Sequence, residues 1–222
     1  MADEFDALVT RLLGVSDISY VPPPFAAEVA EAVLGPSGME RTPHRRLLER
    51  MNGGYFYGRA LHIFGACARP DWHSLAAWNG LSLWRDAYGK MAEGLVFFAE
   101  DAFGDQYAYT GHGGEVVAFE AELGRVATAA PHFRAWLEAI LDAPEAVLPV
   151  DVVQREAQDG RRFAPGFQLF AYPPLCTREA HEEGVTIGHV DAIEAMRFRG
   201  SLAQQLSQMP QGSRVKIEIP ED

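Results

Sequence analysis

Residues 93–122, EGLVFFAEDAFGDQYAYTGHGGEVVAFEAE, constrain the fold more than any other stretch of the chain. Gly-bearing turns cut it into the runs Gly94–Ala99, Gln106–Thr110 and Glu115–Phe119, each of strand length and rich in β-branched and aromatic residues. Connections this short join antiparallel neighbours, so the stretch predicts a β-meander. It also holds seven carboxylates, Glu93, Glu100, Asp101, Asp105, Glu115, Glu120 and Glu122, with no Lys or Arg. Such a sheet is either a well-solvated surface or a place where something basic docks, and it carries no obvious catalytic set.

Charge narrows the choice of partner. The whole chain has 31 acidic and 19 basic residues, a formal net charge of −12. Nucleic-acid binding needs cationic side chains to neutralise phosphates, so this composition argues against it. A protein partner with a basic surface fits better. The start, MADEFDALVTRLLG, is acidic and amphipathic, unlike the basic n-region and apolar core of a signal peptide. No apolar run approaches the ~20 residues of a membrane span. Cys67 and Cys176 are far apart in sequence and are expected to be reduced thiols in a cytoplasmic protein.

Around the meander the pattern is mixed. Asp3 can cap a first helix that buries Phe5, Leu8, Val9 and Leu12. After the stiff Tyr20-Val-Pro-Pro-Pro24, a second helix carries Phe25, Val29 and Val33 and stops at Gly35. Thr42-Pro43 opens a third through Leu47, Leu48 and Met51, which ends at Asn52-Gly53-Gly54. A strand pair, Tyr55–Tyr57 and Leu61–Phe64, turns at Gly58, and Leu75, Trp78, Leu81, Trp84 and Tyr88 form the stripe of a fourth helix. Pro131 begins a helix that buries Phe133, Trp136, Leu137, Ile140 and Leu141. Beyond Pro144, strands are expected at Val150–Val153, Phe167–Tyr172 and Arg214–Ile219. Turns are expected at Asp159-Gly160 and Gln211-Gly212, and a helix over Val190–Met209 with a break near Arg199-Gly200. Strands and helices are grouped rather than alternating, which predicts an α+β fold with a curved, mostly antiparallel sheet packed with helices. Two parts are expected: residues 1–141, and an extension over 142–222 packed on the same domain.

Motifs for chemistry are weak. The Glu100–Asp105 segment lacks the ligand spacing of a calcium loop and reads as a hairpin turn with Asp side chains bonding backbone amides. Cys176, His181 and His189 lack the two close ligand pairs of a structural zinc site. There is no G-x-S-x-G elbow, and Gly111-His112-Gly113-Gly114 joins strands rather than opening a helix, so it is no phosphate cradle. A hydrolase would have to use His112 with Asp101 or Asp105. Tyr107 and Tyr109 share one face of a strand, and on an open face among carboxylates they would suit a protein interface.

The ordered pair of segments Met51-Asn-Gly-Gly54 and Leu95-Val-Phe-Phe-Ala-Glu-Asp-Ala-Phe-Gly-Asp-Gln-Tyr107, followed by Gly114-Glu-Val-Val-Ala-Phe119 and His132-Phe-Arg-Ala-Trp-Leu137, resembles the SUKH superfamily over residues 20–141. That group contains yeast Smi/Knr-type cell-wall regulators and bacterial immunity proteins against polymorphic toxins. The resemblance implies an α+β domain with no enzymatic residue, no cofactor and no metal. The expected function is stoichiometric binding of a cognate toxin domain, of which nucleases are one class, with a regulatory scaffold as the alternative. The expected contact residues are Glu100, Asp101, Asp105, Tyr107, Tyr109, His112 and Glu115.

Overall fold

A computed structural model describes residues 4–35, 42–111 and 114–210. Helices α1 (Glu4–Leu13), α2 (Ala27–Leu34) and α3 (Thr42–Met51) precede the sheet. Its strands are β1 (Gly54–Phe56), β2 (Leu61–Ile63), β3 (Leu95–Asp101), β4 (Gln106–Thr110), β5 (Val116–Glu120) and β6 (Arg125–Ala130). All pairs are antiparallel and the spatial order is the chain order, so the whole sheet is one meander. Between β2 and β3 lie α4 (Leu75–Trp78) and a 3-10 segment, Arg85–Ala92. After the sheet come α5 (Phe133–Asp142), α6 (Pro144–Val147), α7 (Val150–Gln158), β7 (Phe167–Tyr172), α8 (Arg178–Glu183), β8 (Thr186–Asp191) and α9 (Ala192–Ser207). Strands β7 and β8 pair as a separate hairpin. The class is the α+β expected from the sequence.

Both faces of the sheet are covered. On one, Phe98 packs on Tyr109 (ring centroids 4.7 Å), and Tyr107 on Trp136 of α5 (5.2 Å). On the other, Phe97 meets Trp84 (5.0 Å) and Phe119 meets Tyr88 (5.1 Å). Gln106 on that second face accepts from Trp78 Nε1 and lies against Met196 of α9. Burial on both sides explains why β4 reads as nearly continuous apolar sequence rather than a clean alternation.

Chain reversal after α3 uses the expected residues. Asn52 and Gly53 take φ of +41° and +74°, and Gly53 lies so close to the backbone of Ile63 and Phe64 that no Cβ fits. The Asn52 side chain ties the turn to two other segments, donating to Pro23 O and accepting from Ala66 N.

Several expectations are corrected. Val150–Val153 belongs to helix α7, not a strand: Val150 and Val153, three apart, form its buried face, and the helix-favouring Gln-Arg-Glu-Ala-Gln follows. The Leu75–Tyr88 stripe is not one helix, because Asn79-Gly80 ends α4 and Leu81 is exposed. Residues 190–191 belong to strand β8. Asp191 then caps α9, which runs unbroken through Gly200, where the missing Cβ lets the helix lie against Ala87 and Tyr88. Strands β6 and β8 and helix α8 carry no periodicity strong enough to have been expected. The Asp3 cap, His112, the Gln211-Gly212 turn and the Arg214–Ile219 strand lie outside the described residues.

Candidate protein-binding face

The turn after β3 is built by Asp101. Its Oδ1 accepts from Phe103 N (2.8 Å) and Asp105 N (3.0 Å), while Gly104 supplies φ +83°. Asp105 Oδ1 in turn accepts from Ala121 N at 2.8 Å, locking this turn to the one after β5. Burial, with the neighbouring Asp105 charge second, raises the Asp101 carboxyl well above the usual range. Burial also lifts Asp105 to about 6, assisted by Glu120 and Glu122 and opposed by the Ala121 amide and Arg199.

The expected contact residues are not gathered into one face. Glu100 is 3% exposed, Tyr107 8% and Tyr109 0%, so the open face imagined for the tyrosines is corrected: α3 and α5 cover it. Tyr107 Oη donates to Val147 O, and Tyr109 Oη lies 3.1 Å from His44 Nδ1. Asp101 and Asp105 sit at one end of β4, partly exposed. Glu115 is exposed at the other end, beside Thr110 and Thr128. Gly111 and Gly114 lie at that far end too, separated by β4 from Asp101 and Asp105, while His112 lies outside the described residues.

What the structure does assemble is an acidic cleft at the Asp105 end. Phe103, Asp105, Glu120, Glu122, Leu123, Leu175, Cys176 and His181 line a space of about 380 Å³. The Glu122 carboxylate is already engaged, accepting from Leu175 N (3.1 Å) and Cys176 N (2.7 Å). Burial, then the Glu122 charge, pushes the Cys176 thiol up to about 12, so it is not a thiolate nucleophile at neutral pH. Among the described residues, no three His, Cys, Asp or Glu side chains are grouped to hold a metal ion. His189 instead lies 3.2 Å from Glu156.

A buried polar row that no motif in the sequence announces crosses β2, β3 and β4. Register places His62, Glu100 and Gln106 directly opposite one another across β2, β3 and β4. Glu100 Oε2 accepts from Gln106 (2.9 Å) and from Gln168 of β7 (2.7 Å), and Arg199 of α9 donates to Gln168 Oε1. Burial lifts the Glu100 carboxyl to about 7 against these donors. The one signal in the sequence is a polar residue inside an apolar run, as in Leu61-His62-Ile63; its partner, about forty to a hundred residues away, leaves no local trace.

A comparison with curated proteins finds no match. The structure is similar to the crystal structure of Atu4351 from Agrobacterium tumefaciens, with a TM-score of 0.53 over 85% of each chain; at 14% identity the likeness is one of fold. Residues 43–139 match the SMI1 / KNR4 family (SUKH-1), a span that runs from α3 through α5 and takes in the whole sheet. This stretch of the chain is therefore an SMI1/KNR4 (SUKH-1) family domain, shorter than the expected 20–141 and followed by the β7–β8 hairpin and α9.

Proposed function

We propose that this chain is a non-enzymatic, cytoplasmic protein-binding module of the immunity type, which neutralises a toxin domain by stoichiometric binding. The carrying observation is the cleft at the Asp105 end of the sheet. Three carboxylates line it together with Phe103, Leu123 and Leu175, and its described lining includes no Lys or Arg. A concave acidic site with apolar walls suits an Arg or Lys side chain, whose stem packs while its head pairs. Toxin domains that cut nucleic acid present basic grooves, and complementary charge speeds association with them. Of the residues expected from sequence, Asp105 belongs to this surface and Asp101 supports it. Glu115 would serve a partner only at the far end of the sheet.

The test is co-expression with the products of the adjacent reading frames, followed by size-exclusion chromatography. A one-to-one complex with a basic toxin domain is expected, weakened roughly tenfold or more by Glu120→Lys. Capture of a housekeeping protein instead would favour a regulatory scaffold. A toxin complex indifferent to Glu120→Lys would remove the cleft from the interface.

A further inference from the structure

The donors and acceptors of the buried row can be followed from both ends. Trp78 Nε1 only donates, and it faces Gln106 Oε1 at 2.9 Å, so Gln106 turns its NH₂ to Glu100. Arg199 only donates, and it faces Gln168 Oε1, so Gln168 does the same. Both amides thus donate to Glu100 Oε2, leaving Oε1 against His62 Nδ1 at 3.0 Å. At the other end, Asn52 O only accepts, and it lies 3.2 Å from His73 Nε2, which must carry hydrogen. A neutral His73 then offers Nδ1 as an acceptor. It lies 2.9 Å from His62 Nε2, which must carry hydrogen in turn. A neutral His62 is left with a bare Nδ1 facing Glu100 Oε1, and two acceptors cannot bond. One more proton is required, on Glu100 or on the imidazole pair.

We propose that Glu100, His62 and His73 hold one shared proton in the folded protein, and that this proton couples the docking of β7 and α9 onto the sheet to pH. The three side chains are no more than 3% exposed, and Gln168 and Arg199, which seal the carboxyl, are equally buried. An unprotonated Glu100 beside two neutral rings would be a buried charge facing a lone pair, which is costly in such surroundings. Lifting β7 and α9 away lets water reach the carboxyl and the proton leave. The charged and titratable groups packed around the row are Arg199 of α9, Asp101 and Asp105 of the turn after β3, Tyr55 stacked on His62, Tyr20 against His73, and Arg59 over Tyr55. Arg199 favours the anion of Glu100, whereas Asp101 and Asp105 would oppose it when ionised.

Glu100→Gln separates this proposal from ordinary packing. Glutamine presents a fixed N–H to His62 Nδ1 and keeps an oxygen for Gln106 and Gln168, so it copies the protonated acid. Opening of β7 and α9 is read by hydrogen exchange as a function of pH, corrected for intrinsic rates, in both proteins. The ratio of wild-type to variant opening cancels the histidines and the other carboxylates, which are common to both. That ratio is expected to rise about tenfold per pH unit between the ordinary value of 4.5 and the folded value of about 7. A ratio independent of pH overturns the proposal. Should the variant not fold, ¹⁵N NMR of the wild-type histidines at neutral pH decides: hydrogen on Nε2 of both His62 and His73 supports the shared proton, and a bare Nε2 on either ring overturns it.

Discussion

At Gly104 the backbone takes φ +83°, and a Cβ there would stand 2.5 Å from Gln168 Oε1 and 2.8 Å from Arg199 Nη1. Gly104→Ala therefore meets two obstacles, a left-handed backbone and an occupied space. The first costs roughly 1–2 kcal/mol and the second about 1–3 kcal/mol, so a loss of about 2–5 kcal/mol is expected in urea unfolding. Gly65 is a second such position, because His73 and Asn52 O approach it as closely as a hydrogen atom allows. Trp78→Phe keeps the ring but withdraws the donor from Gln106 Oε1. It should cost about 1–3 kcal/mol, since the buried amide oxygen loses its partner. Gly104 is legible as a turn residue from its neighbours in the chain. Gln168 and Arg199, whose atoms forbid a side chain there, are not, because nothing local in the chain links residues so far apart.

Among the elements, α9 owes its start to Asp191, whose Oδ1 accepts from Ile193 N (3.0 Å) and Glu194 N (3.2 Å). Asp191→Ala should cost about 0.5–2 kcal/mol and raise hydrogen exchange in the first turn of α9 before the sheet responds. Elements with a strong local signal were legible in the sequence: the helix stop at Asn52-Gly53-Gly54, the α5 stripe and the three acidic strands. Those read wrongly share a cause. Val150–Val153 looks like a strand by β-branching alone, and the Leu75–Tyr88 stripe continues across Asn79-Gly80 only on paper. Tyr107 and Tyr109 are expected as contact residues only if their face of β4 is open, and alternation does not reveal that both faces are buried. The acidic cleft was half legible: its Asp105 and Glu120 stood out as charges, whereas Leu175 and His181 reach it only through the tertiary fold.

For the whole molecule, the C-terminal part and the SUKH-1 domain share contacts throughout. Leu169 N donates to Ala102 O at 2.7 Å, and Tyr55 Oη accepts from Gly166 N. Residues 142–210 are accordingly proposed to unfold together with the sheet. A chain truncated after residue 141 should lose its single cooperative transition, and two separate transitions in the full chain would contradict this. Stability should also depend on pH in a definite way. Burial holds His62 and His73 down to about 3, so their contribution is complete above 6.5 and lost as pH falls toward 3. Glu100 and Asp105 act oppositely, losing theirs as pH rises toward about 7 and 6. Asp101, raised as well, joins the second set, so the two sets oppose each other between about 4.5 and 6 and urea midpoints should vary less there than below 4.5, where the histidine loss dominates. No helix among the described residues is long and apolar enough to cross a membrane.

A basic protein partner entering the acidic cleft would be drawn in by long-range charge attraction, which association kinetics read out. Binding to a basic protein captured by the co-expression experiment should slow steeply as salt is raised from ~0.05 to ~0.5 M, as screening of complementary charge requires. Glu120→Lys should flatten that dependence and slow association, while Glu93→Lys, at the other end of the sheet, should change it far less. Equal effects of the two substitutions, or an association rate insensitive to salt, would contradict the account.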